Sequence, residues 1–549
     1  MIVRSERLTE ISSFCFEGFI FGLSEGEAKY YVSNEFINKG KAALKELNGS
    51  FCGYYVDDET QQLYVFNDRL GMVDLFLMKD GQEWLLCDDY WQAVKANSSI
   101  SINDMAIEQL LQFGYMHWNN TFLSEIDLCA PATVITIDIK SKSILSTERY
   151  WRHIPEPVIY NRSAAKERLY ESIKKAVKEC FNDQQATYAV ANSGGLDSRW
   201  NLFCASQQER HFASYTYTGA KKSDAEFVSR KVNALLKQTD SKYIEVCVND
   251  FLPKYANKHL DKTPMLPLYS AWYYGAFRQL EDVSVNVNGF ISTFLDAFTY
   301  MDKANGYNYY LSQSLTDKYE FCYNLYNITN AKLLSKVYLK SHGNRLKDSF
   351  MTHLDELEMN DLGNICDSFD FYCRQRRLNK NESWTNFYGQ MQSRSPLVHN
   401  DIVDLSLQLP FEMRDNRSLY VETACDVMGD LAGLRLERSP WGLKGEEVGA
   451  KGFIKSTLWR ADLKLYKKTG HSFWFKGSHK DVAAWMCQYP NMEFIRQLIN
   501  SNNPLIIERF NQNYLNDNID ALIKKDFVFV SSLLTVFMFL NKLSDIKQI

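Results

Sequence analysis

Six consecutive residues, Ser193, Gly194, Gly195, Leu196, Asp197 and Ser198, have the types and spacing to hold a phosphorylated ligand. Glycine weakens the interior of a strand or a helix, so two of them between serines and an aspartate point to a turn. The run before them, Ala186 to Ala191, is short and apolar and reads as a buried strand. The run after them is free of Gly and Pro and puts Trp200, Phe203 and Cys204 at helical spacing. A strand, glycine turn and helix in that order let backbone N–H groups approach an anion. A Walker loop is excluded, because it needs a lysine where this chain has Asp197. An aspartate beside phosphate repels it unless Mg²⁺ lies between them, so Asp197 implies a metal as well as a nucleotide.

The elements that must position this turn follow from the rest of the chain. A length of 549 residues implies several domains. The 45% hydrophobic content predicts folding throughout. Runs 49–56 and 61–68 flank a polar turn and predict an aromatic hairpin; further strands are expected at "EWLLCDD" and "ATVITIDI". Between these, a helix opens at Asn103 or Asp104. Residues 150–162 hold two prolines and no periodicity, which places a boundary there and gives domains 1–152 and 153–549. Beyond it, helices alternate with short strands, the pattern of a doubly wound parallel sheet whose ligands sit at the carboxyl ends of its strands. After about residue 300 the chain reads as mostly helical, and the apolar run from Phe527 as a buried C-terminal helix.

The net charge of −5, from 62 basic and 67 acidic residues without like-charged blocks, gives no sign of a nucleic-acid partner. Twelve scattered cysteines with no zinc spacing, and a polar start, predict a cytoplasmic protein with reduced thiols. No membrane partner is expected, and a homo-oligomer is an open expectation.

With these residues in view, the second part resembles the asparagine synthetase family, class B, the glutamine-hydrolysing type, through its loop Ser193-Gly194-Gly195-Leu196-Asp197-Ser198. "LNGSFCGYYVDDETQQLYVFNDRLG" (47–71), the segment 113–138 with the following "RYW", and "SRSPLVHNDIVDLSLQLPFEMR" (393–414) are similar to further family segments. The resemblance implies an Ntn-hydrolase-like, glutaminase-like β-sandwich domain, then a parallel-sheet ATP pyrophosphatase (PP-loop) synthetase domain with a helical C-terminal part. It implies ATP and Mg²⁺, with the 193–198 loop on pyrophosphate and Asp197 on the metal.

Two departures qualify it. Family glutaminase domains use an N-terminal cysteine, whereas this chain reads Met1-Ile2-Val3; Cys15 is expected to be a small buried strand residue, and the chain to be a variant lacking the catalytic cysteine. The family's second acidic motif corresponds to "NGFISTFLDAF", which keeps Gly289 but has Thr293 for the aspartate; Asp296, three residues on, either replaces it on the metal or is a surface residue. A phosphate-neutralising cation is implied at Lys444, with Arg438 as second choice. Lys221 and Lys222 read as a solvated helix entry and Arg374 to Arg377 as helix-surface charge; His399 stands where the family's motif has its acid, and the nearest carboxylate, Asp401, reads as a helix cap. The aromatic run 267–277 reads as a core helix, with pocket lining the alternative. The expected function is ATP-dependent amide formation on a small-molecule or peptide carboxylate, using ammonia or an amine. The alternative is a non-catalytic family member that binds nucleotide or a partner.

Overall fold

The first strand pairs are set by aromatic and β-branched runs separated by a polar turn. The computed structural model describes residues 13–80, 83–219, 223–290, 295, 313–380, 391–437, 439–445, 449–469, 471–475, 477–478 and 480–548. β1 (Phe14–Ile20) pairs antiparallel with β2 (Gly49–Asp57), and β2 with β3 (Gln62–Asn67). The β2–β3 turn closes as expected for Asp, whose Oδ1 at position 57 accepts the N–H groups of Glu59 and Thr60 at 3.0 and 3.1 Å. β4 (Phe76–Asp80), β5 (Glu83–Cys87) and β6 (Ile126–Leu128) form a second sheet in the order β5-β4-β6. β7 (Thr133–Asp138) and β8 (Ser143–Arg149) complete the first, ordered β1-β2-β3-β7-β8. Cys52, Tyr54, Leu63, Val65, Leu86 and Ile135 fill the space between the sheets. The opposite face of the first sheet is covered by helix Glu25–Lys39 through Ala28, Val32 and Phe36. The result is a helix-covered β-sandwich.

Five parallel strands follow: β9 (Tyr188–Ala191), β10 (Ala213–Thr218), β11 (Ser241–Glu245), β12 (Val285–Val287) and β13 (Gln392–Arg394). Their order is β11-β10-β9-β12-β13. Side chains alternate along β9, and the two faces enter different cores. Tyr188 and Val190 pack with helices Arg162–Cys180, Leu196–Ala205 and Asp224–Leu235. Ala189 packs on the other face with helix Phe251–Lys262 and the aromatic run that includes Trp272 and Tyr274. Both faces are thus covered, which suits the apolar run of β9, while the polar residues of β10, β12 and β13 are satisfied by hydrogen bonds such as Tyr215 to Asn286 and Asn286 to Ser393. β9 starts two residues later than the apolar run predicts.

The C-terminal helix Phe527–Lys547 lies in the core of the second face, as expected from its composition. Its Phe539 stacks on Phe122 at 4.2 Å, so the last helix of the chain touches the first half. The two halves share cores elsewhere too: Phe19, Leu70, Met72 and Phe113 pack with Val190 and Trp200. One expectation is corrected at this junction. Arg376 and Arg377 are buried in the π-helical turn Asp370–Asn379 and are not surface charge. Arg377 donates to the carbonyls of Trp118 at 2.8 Å and Asn120 at 2.7 Å, and Arg376 to that of Cys129. Burial lowers the Arg376 guanidinium to about 10; the Cys129 carbonyl meets its Nη2, while its buried Nε and Nη1 have no hydrogen-bond partner among the described residues.

Candidate functional site

In an open parallel sheet, ligands bind beyond the carboxyl ends of the strands where the strand order reverses. Here that point lies between β9 and β12, and both flanking segments carry sequence-predicted residues. Asn192, the first residue after β9, is clamped on all sides. Its N–H donates to the Tyr215 carbonyl at 2.8 Å, and its carbonyl accepts from Thr216 Oγ1 at 2.6 Å. Its amide donates to the Ser229 carbonyl at 3.1 Å and to Asn233 Oδ1 at 2.8 Å. Its Oδ1 accepts the Gly194 N–H at 3.1 Å. The turn therefore leaves the sheet in one fixed direction.

Gly194 has φ +72°, and a Cβ there would stand 2.7 Å from Val228 Cγ1. Both conditions exclude other residues at low cost. Ser193 Oγ accepts the Gly195 N–H at 3.3 Å and lies 3.1 Å from Ser198 Oγ, which donates to the Gly195 carbonyl at 3.1 Å. Helix Leu196–Ala205 starts immediately after, with Gly195 at its cap position and no side-chain capping bond. Its first-turn N–H groups are thus available to an anion at the positive end of the helix dipole.

Gly289, after β12, meets this turn directly: a Cβ on it would lie 2.7 Å from Asp197 Cβ. Asn288 fixes the approach, donating from its amide to Ser393 Oγ at 2.7 Å and from its N–H to the Arg394 carbonyl at 3.1 Å. The two segments singled out in the sequence are therefore in contact. Asp197 is partly exposed and faces Arg417 Nη1 at 3.8 Å. Tyr420, one helical turn on, also faces it: burial pushes the Tyr420 phenol well up, and the Asp197 carboxylate adds to the effect. Arg417 was not anticipated. It caps helix Ser418–Val427 in left-handed conformation (φ 58°), after Asn416 at φ 48°. The Asp-Asn pair before it was the available turn signal.

Arg199 ties the turn to a distant segment. It is fully buried, and its guanidinium donates to the carbonyls of Gly194 (3.0 Å), Leu431 (3.0 Å), Leu434 (2.8 Å) and Arg435 (2.7 Å). Burial lowers it to about 10. Arg435 in turn pairs with buried Asp224 at the start of helix Asp224–Leu235, the helix that carries Val228.

Lys444 is exposed and lies close enough to Cys425 for its charge to act on that thiol; no described contact joins it to Asp197. Arg438, Thr293, Asp296, Lys221 and Lys222 lie outside the described residues, as do Met1, Ile2 and Val3. Among the described residues no group of three or more His, Cys, Asp or Glu side chains is placed to hold a metal ion. His399 caps helix Asn400–Gln408 through the Asp401 N–H, at 3.1 Å from its Nδ1, and its Nε2 meets Asn48 and Glu179 at 2.7 and 3.1 Å. The helix is capped at this segment as expected, but by His399 and not by Asp401, which gives only its N–H. The aromatic run 267–277 contributes Leu268, Trp272, Tyr274 and Phe277 to the core, as its core reading expects.

Residues 31–151 match the family model of a glutamine amidotransferase domain. No curated protein matches the chain. The match runs from within helix Glu25–Lys39 past the end of β8 and leaves β1 outside it, and it supports an amidotransferase-like role for the first part of the chain. Cys15 precedes the matched segment. It lies within β1 opposite Tyr54, as a strand residue, but is half-buried where a buried position was expected, and partial burial pushes its thiol up.

Proposed function

We propose that the chain is an ATP-dependent amide-forming ligase of the asparagine synthetase type, acting on a small-molecule or peptide carboxylate with ammonia or an amine as nitrogen donor. The carrying observation is the meeting of the Ser193–Ser198 turn and Gly289 at the reversal point of the parallel sheet, with an acid between them. The residues present suit a magnesium nucleotide. Gly194 and Gly289 let the turn pack on Val228 and let the second segment approach Asp197, two serine hydroxyls and uncapped helix N–H groups offer donors to phosphate, and Asp197 offers one carboxylate oxygen set to Mg²⁺.

A carboxylate is a poor electrophile, and attack of its oxygen on the α-phosphorus, with release of pyrophosphate, gives its carbon a good leaving group. The nitrogen nucleophile then forms the C–N bond while the C–O bond to AMP breaks, and the displaced proton goes to solvent. In this reading the protein's share is positioning and charge neutralisation. Ser193, Gly194, Gly195, Leu196 and Ser198 hold the pyrophosphate end, and Asp197 holds Mg²⁺. Arg417, already beside Asp197, is a stronger candidate for the neutralising cation than Lys444 or Arg438. Cys15 lies within a strand and has no α-amine, which favours nitrogen taken directly over glutamine hydrolysis at that residue. The buried thiols suit a cytoplasmic setting.

The reading is tested by calorimetric titration of ATP into the full chain with and without Mg²⁺, for wild type and Asp197→Ala. Tight binding that needs Mg²⁺ and is weakened at least about tenfold by the substitution supports it. Metal-independent binding equal in both proteins, or none in either, overturns it.

A further inference from the structure

A concavity lies against helix Asp224–Leu235, beside the residues that anchor the glycine turn. It has a volume of about 750 Å³, within the range of small-molecule sites. Helix Ala450–Thr469 supplies one wall with residues 451, 454, 455, 458 and 459, a spacing that puts them on one face. Phe227 and Lys231, one turn apart, supply the other. Phe473 and Trp474 form a lip that is set in place: buried Asp462 accepts the N–H groups of Phe473, Trp474 and Phe475 at 2.6, 2.9 and 2.8 Å. Arg435 lies between the rings of Phe227 and Trp459, at 4.9 and 5.1 Å, with its charge met by Asp224.

Two properties of this lining select a ligand. First, large apolar side chains stand in water: Ile454 is 56% exposed, Leu458 47%, Phe473 74% and Trp474 49%. A contiguous apolar patch of this kind marks a binding surface. Second, the charged residues that line it, among the described residues, are cations: Lys231, Lys451 and Lys455, beside Arg435, which is paired with Asp224. Such a surface complements an apolar body with an anionic head. A peptide fits less well, because its backbone N–H groups would be desolvated against side chains that offer almost no acceptors.

We propose that this cleft binds an amphiphilic carboxylate, its apolar chain laid along Ile454, Leu458 and Trp474 and its head held by Lys451 and Lys455. Binding here requires nothing of the Ser193–Ser198 turn. The cleft and the turn are nevertheless joined, since Arg435 floors the cleft while its carbonyl accepts from Arg199, which also holds Gly194.

The test is titration of decanoate into the full chain, read by calorimetry and by tryptophan fluorescence. Decanol and decyltrimethylammonium serve as neutral and cationic counterparts, and the K451E/K455E double variant as the protein control, with its fold checked by circular dichroism. The expected result is one saturable decanoate site that loses about tenfold or more in affinity for decanol, for the cationic amphiphile and in the double variant, the scale of a charge-assisted contact. Equal affinity for all three amphiphiles, or an unchanged double variant, overturns the proposal. So does sedimentation showing a dimer that the double variant dissolves, or an acidic peptide that binds the cleft more tightly than decanoate.

Discussion

Gly194→Ala tests whether the turn has the shape that the proposed site requires, and its cost divides into two parts that a second substitution separates. The backbone at Gly194 has φ +72°, where an L-residue costs roughly 1–2 kcal/mol. The new Cβ would also sit 2.7 Å from Val228 Cγ1, well inside van der Waals contact. Val228 is buried on a helix packed against the sheet, so relief requires displacing core, at about 1–3 kcal/mol. Alanine restricts the unfolded chain and returns up to about 1 kcal/mol. The expected net loss is therefore roughly 1–5 kcal/mol. Val228→Ala alone removes two buried methyl groups and costs about 2 kcal/mol. In the double variant the clash is gone while the backbone strain remains, so its loss should fall short of the sum of the singles by about 1–3 kcal/mol. The cycle is measured by calorimetric unfolding, with amide hydrogen exchange over residues 192–205 as a local readout. Additive losses, or a Gly194→Ala protein as stable as wild type, would show that the turn does not pass over Val228 in a left-handed conformation.

Two further outcomes are expected. Arg199→Lys cannot match a planar fork that reaches four carbonyls, so it should destabilise the protein by about 2–4 kcal/mol through stranded buried acceptors; hydrogen exchange should rise at residues 431–435 as well as at the turn, and a loss confined to one segment would disprove the strut. Asp68 is buried and accepts N–H bonds from Phe51, Leu70 and Met72, yet desolvation outweighs these bonds and pushes its carboxyl from 3.8 up to about 6. Its folded-state pKa is raised, so its contribution to stability is present below the unfolded value and lost as pH rises through about 6. Relative to Asp68→Asn, wild type should therefore lose roughly 2–3 kcal/mol between about pH 4 and about pH 7, and a flat or rising difference would refute the assignment.

Local rules made part of this molecule legible. The β2–β3 hairpin follows from aromatic runs around an Asp turn, and β9 from an apolar run ending at glycines. The helix after Ser193-Gly194-Gly195 follows from the absence of breakers. Sheet order was also within reach, because alternation of strand and helix restricts the connections. Residues brought in by tertiary packing were not legible. Arg417 reaches Asp197 only because two left-handed residues start its helix, and nothing local says where that helix then lies. Arg376 and Arg377 were read as surface charge because arginine usually is; their partners are carbonyls more than two hundred residues away. β13, three residues long, carries no periodic signal at all and exists by pairing with β12. The boundary near residue 152 marks a change of local pattern, whereas packing joins the halves through Phe122 on Phe539 and Leu70 beside the second-half core.

Arg199 explains why the candidate site is rigid before any ligand arrives. Burying a guanidinium without a carboxylate partner is unfavourable, as its lowered pKa registers, and the loss is limited only as far as its N–H groups find acceptors. Four of its five N–H groups do so, on carbonyls drawn from two places, the turn at Gly194 and the 431–435 segment. Moving either place alone would strand buried donors and acceptors together, so the turn and that segment can shift only as a unit. Arg435 extends the unit through Asp224 to the helix bearing Val228, which is the residue that limits Gly194. The chain of contacts closes on itself: the glycine is pressed by a helix whose first turn is held by the segment that the glycine's own arginine neighbour fixes. A site for a polyanion gains from such closure, because donors that cannot relax toward one another keep their separation, and charge stabilisation then costs little reorganisation when the ligand binds.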